Sequence, residues 1–350
     1  MKILPQDMKR GPTLPPYFID QQLYKRFDER KNVFGSMLHD HKAEFYQRGM
    51  YENIEQIVSA HQKGYSRINF ARVMGAWAVY DYFHEAFSWE KHIDANSVMP
   101  KPNLKKYHVT DKFYITEEIK KTAKLYGASL VGITKITHAW IYDKNMDGIP
   151  INLPDEFRFA IVMAIKMDTK AVSTSPSFIA CFETALAYSK MAFCIGCMAE
   201  FIRNLGYQAI PMGNDTALSI PLAIDAGLGE LGRNGLLVTP EYGPCVRLCK
   251  VFTDLPLLPD KPITSGVTEF CKTCKRCADA CEAKAIQHEK EPSYKIACPS
   301  NNPGIMRWAV DQDRCYNFWI ENGGECSNCI AACPYTTGKH KQRNRTKGPK

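Results

Sequence analysis

The spacing of apolar and polar residues predicts a fold that mixes helices with a sheet. In DKFYITEEIKKTAKLYGA (111–128), apolar residues recur every three or four positions, which indicates a helix with one buried face. SLVGITKI, which follows directly, is rich in β-branched residues and predicts a strand. FRFAIVMAIKM (157–167) predicts a second strand, and its nearly continuous apolar run indicates deeper burial.

The pattern continues with a long helix over about 177–205 and a short strand, YQAIPM. We expect GLLVTP (235–240) to complete the sheet, so that helices pack on a central sheet. The first 110 residues are aromatic-rich and weakly patterned, and we expect them to form a mainly helical region that wraps this core. The predicted fold class is therefore α/β (α+β).

Composition adds that the chain is globular. It has 350 residues, of which 45% are hydrophobic, enough to bury one large core or two smaller ones. No apolar stretch approaches the roughly 18 uncharged residues that span a bilayer, and MKILPQDMKRGPTLPP at the start lacks a secretory apolar region. We expect a cytoplasmic protein, unless the sequence is the mature form of an exported one.

The net charge of +8 is concentrated in one place. KHKQRNRTKGPK (339–350) contains six Lys and Arg residues and no acidic residue, so the rest of the chain is close to neutral. Such a run is typical of a solvated, disordered tail, with binding to an anionic surface or partner as the alternative. We therefore do not expect nucleic acid as a partner.

The cysteines carry the strongest chemical signal. Eight of the fourteen cysteines form two runs. The first run is Cys271, Cys274, Cys277 and Cys281, and the second is Cys315, Cys326, Cys329 and Cys333, followed by Pro334. This spacing matches the two-cluster bacterial ferredoxin pattern, in which the fourth cysteine of each run ligates the other cluster.

Two [4Fe–4S] clusters with crossed ligation are therefore predicted. One cluster is assigned to Cys271, Cys274, Cys277 and Cys333, and the other to Cys315, Cys326, Cys329 and Cys281. Thiolates suit iron because they are soft, anionic ligands. Zinc is disfavoured because interleaved runs of this kind are not typical of it, and disulfides are disfavoured because the chain shows no secretion signal.

A glycine-rich stretch, AGLGELGRNG, contains G-x-G-x-x-G at Gly227, Gly229 and Gly232. A dinucleotide site would need a strand immediately before this motif and a helix opening within it. Here the preceding LSIPLAIDA favours a helix and a strand follows. We interpret these glycines as allowing the backbone to approach a bulky cofactor or to form a tight turn.

At this stretch the sequence resembles a known family. MGNDTALSIPLAIDAGLGELGRNGLLVTPEYGPCVRLCKVFTDLPLLPDKP, followed by GVTEFCKTCKRCADAC and GGECSNCIAACP, resembles the respiratory corrinoid-dependent reductive dehalogenases. The resemblance covers about 174–336, with a weaker echo back to Lys112 and in GAWAVYDYF. It implies a nitroreductase-like core that holds a base-off cobamide, and a ferredoxin-like domain that supplies electrons one at a time.

The resemblance also implies site residues. It places the proton donor at Tyr188, an activating arginine at Arg247 and an active-site amide at Asn214. A guanidinium beside a phenol stabilises the phenolate and eases proton release. Trp319 is expected to line the substrate pocket, and Asn234 joins the three glycines as an expected cofactor contact. Taken alone, each residue would more often be structural: a core tyrosine, a surface ion pair or a turn residue.

The domains, partners and cofactors follow from this resemblance. The expected domains are 1–110 (helical wrapping), 111–262 (cobamide-binding core), 263–338 (two clusters) and 339–350 (tail). The expected partners are a small organohalide and an external low-potential electron donor, while a membrane anchor protein and a homodimer stay open. No D-x-H-x-x-G motif for histidine-ligated corrinoid is present; the nearest stretch has Ser59 in place of the aspartate.

Two alternative functions remain. Epoxyqueuosine reductase joins a cobamide core to two such clusters and acts on transfer RNA, but its resemblance in PLAIDAGLGELGRNGLLVTPEYGP is weaker. A two-cluster electron carrier needs only about 60 residues to hold its clusters. The long region upstream of Cys271 argues against it.

Overall fold

The computed structural model describes residues 17–83, 102–103 and 105–338. The predicted tail at 339–350 and parts of the predicted region 1–110 lie outside these residues.

The central sheet has four strands, and each neighbouring pair is antiparallel. In spatial order they are β1 (Leu130–Lys135), β2 (Phe159–Lys166), β6 (Val246–Thr253) and β3 (Ala209–Met212). A separate two-stranded ladder pairs β4 (Glu230–Leu231) with β5 (Leu237–Val238). Because the main sheet is antiparallel, the fold belongs to the α+β form of the predicted class.

The prediction that GLLVTP completes the central sheet is wrong. Its strand residues, Leu237–Val238, belong to the small ladder, and the central position between β2 and β3 is occupied by VRLCKVFT. Arg247 and Lys250 interrupt the apolar pattern of that segment, which hid the strand. The structure accommodates both because their polar ends bond to groups beside the sheet.

The described residues form eleven α-helices. They are α1 (Val33–His39), α2 (Ile54–Ser59), α3 (Arg67–Phe83), α4 (Lys112–Leu125), α5 (Thr169–Val172), α6 (Phe178–Asn204), α7 (Ser219–Asp225), α8 (Val267–Thr273), α9 (Arg276–Asp279), α10 (Gln312–Asn322) and α11 (Asn328–Ala331). Both predicted long helices, α4 and α6, are confirmed. Asp111 caps α4 by accepting hydrogen bonds from the backbone N–H groups of Phe113 and Tyr114.

Both faces of the sheet are covered. Ile161, Met163 and Ile165 of β2 face one apolar core together with α4 and α6, whereas Ala160 and Val162 face another core beside Trp140 and α7. This alternation, with apolar residues on both faces, explains why β2 has no polar positions between its ends. The core therefore lies in two layers, one on each side of the sheet.

Helix α6 is the longest element, with 27 residues. By length and composition it could cross a membrane, but 67% of its most apolar window is buried in the fold, where it packs against the sheet and against α3. We interpret it as the core helix of this domain. It is also the element that carries Tyr188.

Candidate active site and cluster-binding sites

Tyr188 lies on α6 where α3 crosses it. The Ser189 hydroxyl donates to the carbonyl of Ala76, which joins the two helices at this level. The rings of Trp77 and Tyr80 pack against the Tyr188 ring, with centroids 5.0 and 5.1 Å away. These aromatic contacts restrict the orientation of the Tyr188 ring and leave its hydroxyl pointing toward the loop after β3.

Asn214 meets this hydroxyl. Its side-chain amide donates a hydrogen bond of 2.8 Å to the Tyr188 oxygen. Asn214 is itself exposed, so the phenol and the amide lie at an accessible edge of the fold. The amide N–H of Asn214 therefore occupies one acceptor position of the phenol oxygen.

A buried lysine on β6 donates hydrogen bonds to the loop that carries Asn214. Lys250 on β6 is 0% exposed, and its ammonium donates to the carbonyls of Gly213 and Asp215 at 2.7 and 3.0 Å and to the Ser219 hydroxyl at 3.2 Å. Burial lowers the pKa of Lys250 to about 8. The loop is thus held on both sides of Asn214.

Arg247 is the third predicted residue at this point. Its guanidinium carbon lies 5.7 Å from the centroid of the Tyr188 ring, and its Nη2 donates to the Thr184 hydroxyl at 3.2 Å. Its Nε is buried and has no hydrogen-bond partner within the described residues. The structure therefore brings Tyr188, Asn214 and Arg247 together from a helix, a loop and a strand.

Arg247 also faces the cysteine-rich segment. Glu325 is 4% exposed, and burial raises its pKa, an effect that the charge of Arg247 partly offsets. Arg247 also acts on the thiol of Cys329, where it lowers a pKa that burial raises. The tyrosine site and the second cysteine run are therefore electrostatic neighbours.

Four cysteines from both runs line one cavity. They are Cys271, Cys274, Cys277 and Cys333. Burial raises the pKa of Cys271 to about 11, and the neighbouring Cys333 and Cys274 add to the shift. Because burial disfavours free thiolates, iron must supply the compensating positive charge when it displaces the protons. The set that lines this cavity agrees with crossed ligation.

The other four cysteines form a second group. Burial raises the pKa of Cys315 to about 12, and the thiols of Cys326 and Cys281 add to the shift. Cys329 is likewise influenced by Cys315, Cys326 and Cys281. Cys281 belongs to the first run but is grouped here with cysteines of the second. This arrangement is again the one that crossed ligation requires.

The three glycines of the G-x-G-x-x-G stretch pack against this chain's own atoms. A Cβ at Gly227, where φ is 74°, would lie 2.5 Å from the Lys261 carbonyl oxygen, and one at Gly229 would collide with the Val238 carbonyl. At Gly232 it would lie 2.6 Å from the Val238 side chain. The close approach they allow is therefore to neighbouring protein. A contact with a bound cofactor at these positions stays a prediction.

Asn234 and Trp319 lie in different surroundings. Asn234 is 7% exposed and lines the cavity of the first cysteine set, and its side-chain nitrogen has no partner within the described residues. Trp319 on α10 belongs to an apolar cluster with Phe45 and Tyr316, and its indole nitrogen is likewise buried without a described partner. That Trp319 lines a substrate pocket stays a prediction.

The sequence did not point to several residues that shape the site. Trp77 and Tyr80 orient Tyr188, and Lys250 holds the loop of Asn214. One signal was available for Lys250, since a lysine inside an apolar strand must find buried acceptors. The signal for Trp77 and Tyr80 was the weak family echo in GAWAVYDYF (75–83), which contains both residues, but it did not pair them with Tyr188, because α3 and α6 are far apart along the chain.

Comparisons with known proteins identify relatives of this chain. A family model described as a 4Fe-4S dicluster domain matches residues 270–337. The tetrachloroethene reductive dehalogenase of Desulfitobacterium hafniense is 39% identical over 293 residues, which covers 71% of this chain and 52% of that protein. The tetrachloroethene reductive dehalogenase of Sulfurospirillum multivorans is 38% identical over 259 residues, with 65% and 52% covered.

This chain belongs to the reductive dehalogenase family. A solved reductive dehalogenase, whose structure suggests a mechanism for B12-dependent dehalogenation, matches with a TM-score of 0.75 at 22% identity over 96% of this chain and 46% of that one. At this identity the match shows the shared fold, which confirms the predicted fold class. The dicluster match confirms iron–sulfur binding in the C-terminal segment. The chain spans about half the length of the curated reductive dehalogenases it matches.

Proposed function

We propose that this chain catalyses reductive dehalogenation of a small organohalide. In the net reaction a carbon–halogen bond breaks and a carbon–hydrogen bond forms, two electrons and one proton are consumed, and halide leaves. An external low-potential donor supplies the electrons, one at a time, through the two clusters. The observation that carries this proposal is the meeting of Tyr188, Asn214 and Arg247 beside the second cysteine group.

A bound cobamide would account for unpaired polar atoms of Arg247 and of the segment 319–327, whose Glu325 feels the charge of Arg247. Arg247 Nε, Glu325 Oε2, Trp319 Nε1 and Ser327 Oγ are buried and lack hydrogen-bond partners within the described residues. Unpaired buried polar atoms are costly, so a large polar cofactor that bonds to them would stabilise the fold. Bound base-off, as no histidine-ligand motif is present, the cobamide would supply Co(I) as the reductant of the carbon–halogen bond.

Residues of this chain would donate the proton and stabilise the group that loses it. The Tyr188 hydroxyl is the proton donor, and the Asn214 amide at 2.8 Å stabilises the phenolate left behind. Arg247, next to the tyrosine ring, adds a positive charge that favours the same form. Trp77 and Tyr80 keep the ring in place.

The order in which electrons pass through the two clusters is inferred from the residues beside each cysteine group. The group with Cys329 adjoins Arg247 and would pass electrons to the site. Cys277, in the other group, is electrostatically coupled to Cys329, so the two groups are adjacent. The first group would therefore receive electrons from the external donor, and the second would deliver them.

The decisive variant is Tyr188→Phe, which keeps the ring and its packing but removes the acidic hydrogen. Turnover should fall by roughly 10² to 10⁴, the usual effect of losing a general acid, with cobalt and iron contents unchanged. The assay is anaerobic, on cobamide-loaded protein with reduced viologen and a panel of chlorinated and brominated alkenes and phenols. Tyr80→Phe, a neighbouring tyrosine in the same aromatic group, is the matched control and should retain most activity.

Wild-type turnover by Tyr188→Phe on every active substrate would show that Tyr188 is only a core tyrosine. Uptake of corrinoid without activity on any organohalide would favour the epoxyqueuosine reductase alternative. Failure to take up corrinoid, with both clusters intact, would favour the electron carrier.

A further inference from the structure

The most completely buried cation in the cluster-binding region is Arg233. It follows Gly232 in the turn between β4 and β5, and its side chain is 0% exposed. In the described part of the chain no carboxylate forms an ion pair with it. Burying an arginine in this way is costly unless another negative charge or a full set of acceptors compensates it.

The acceptors come from the loop that carries the first cysteines. Arg233 Nη2 donates to the Cys271 carbonyl at 2.6 Å, and Nε donates to the carbonyls of Cys271 and Cys274 at 3.1 Å each. The same guanidinium thus spans the first Cys-x-x-Cys turn. Arg233 and Asn234 also line the cavity of the four cysteines of this group.

The remaining contacts of the Arg233 guanidinium are two more carbonyls and an aromatic ring. Nη1 donates to the carbonyls of Gln287 and Glu289 at 2.8 and 2.7 Å, and the guanidinium carbon lies 4.8 Å from the Trp308 ring centroid. These partners are all neutral, so none cancels the charge of Arg233. A [4Fe–4S] cluster with four thiolates is anionic and would lie in the cavity that this guanidinium lines.

We infer that Arg233 is the buried counter-cation of the cluster held by Cys271, Cys274, Cys277 and Cys333, and that it raises the reduction potential of that cluster. The reason is electrostatic. One-electron reduction makes the cluster more negative without forming or breaking a bond, and a cation shielded from water favours the more negative form. The electron comes from the external low-potential donor.

This inference gives the glycine-rich stretch a role. The close packing at Gly227, Gly229 and Gly232 brings β4 against the backbone at 238 and 261, and the turn then directs Arg233 into the cysteine-rich segment. The stretch therefore connects the sheet domain to the first cluster. The inference rests on the two-cluster part of the proposed function and is independent of the halogenated substrate.

The test is a redox titration monitored by electron paramagnetic resonance on protein that carries both clusters. Arg233→Met should shift the midpoint potential of one cluster to a more negative value and leave the other nearly unchanged. Arg233→Lys keeps a charge but cannot reach all the carbonyls, so its shift should be smaller and in the same direction. Because the cation is buried, the Arg233→Met shift should depend little on ionic strength.

Arg276→Met is the matched control, since Arg276 is next to Cys277 but exposed, where water and salt screen its charge. Its effect on either midpoint should be small. Unchanged midpoints in Arg233→Met, an equal shift of both clusters, or a shift to a more positive value would overturn the inference. If Arg233→Met loses iron, the inference requires Arg233→Lys to keep both clusters; loss of iron there too would assign Arg233 a purely geometric role and overturn it. These outcomes do not depend on dehalogenation, so they are separable from failure of the proposed function.

Discussion

Strand β2 and the cysteine-bearing turns of residues 263–338 are held in place in different ways. Residues 160–165 of β2 are each at most 2% exposed, and they pack between two apolar layers. In the cysteine-rich segment, the apolar cluster around Cys277 has only five buried residues. Its helices α8, α9, α10 and α11 have seven, four, eleven and four residues.

The difference indicates two sources of stability. A sheet covered on both faces is stabilised by apolar burial and needs no cofactor. Helices of four to eleven residues are marginal without tertiary support, and an apolar cluster of this size provides little of it. Iron ligation should therefore supply much of the stability of the second region and little of that of the first.

Removal of iron should give the largest difference between the two regions. Chelation under anaerobic conditions should strongly reduce amide protection across 266–337, because the cysteines lose the iron that joins their turns, while β2 and α6 should stay protected. Hydrogen exchange followed by mass spectrometry on cluster-loaded and iron-free protein measures this directly. A loss of protection spread evenly over both regions would show that they form one cooperative unit.

The next largest effect is the loss of one of the two clusters when a single cysteine is replaced. Cys281→Ala should destroy the cluster grouped with Cys315, although Cys281 follows Cys277 closely in sequence. Iron content should fall from about eight to about four per chain, as expected for two four-iron clusters. Metal analysis and paramagnetic resonance provide the measurement.

Two matched variants identify the lost cluster. The spectrum of Cys281→Ala should resemble that of Cys315→Ala and differ from that of Cys271→Ala. Resemblance to Cys271→Ala would mean that each run ligates its own cluster, contrary to the grouping in the structure.

A smaller effect is expected within the sheet domain at Lys250. Lys250→Met leaves two carbonyls and a hydroxyl without their donor, which should cost about 1–3 kcal/mol of stability. If Lys250 acts on turnover by holding Asn214, then Lys250→Met should slow the reaction in the wild-type background but add little to Asn214→Ala. A double-mutant cycle on turnover measures this coupling. Fully additive effects would show that Lys250 is structural only.

Stability against pH provides a second measurement on Lys250. Burial lowers its pKa in the folded protein to about 8, against the ordinary lysine value of 10.5, so between these values the unfolded chain binds more protons. The free energy of unfolding of the wild type should therefore rise relative to that of Lys250→Met as the pH increases from 8 to 10.5. Denaturant titrations at several pH values test this sign.

Much of the cluster site was predictable from the sequence, because ligand spacing is a local property. Three cysteines within seven residues can reach one cluster whatever surrounds them, and the crossed fourth ligand is part of the same pattern. The helices α4 and α6 and the strands β1, β2 and β3 were likewise predicted from periodicity. The roles of Tyr188, Asn214 and Arg247 came from the family resemblance, and each of these residues alone looks structural.

The remaining features depend on contacts between distant segments, and only the tertiary structure decided them. Strand β6 was missed because Arg247 and Lys250 break its pattern, and their partners lie 63 and 37 residues away in sequence. The hydrogen bond from Asn214 to Tyr188 spans 26 residues, and the bonds from Arg233 to the cysteine loop span 38 and 41. A buried polar group is tolerated only where its partners converge, and that convergence is a property of the folded chain.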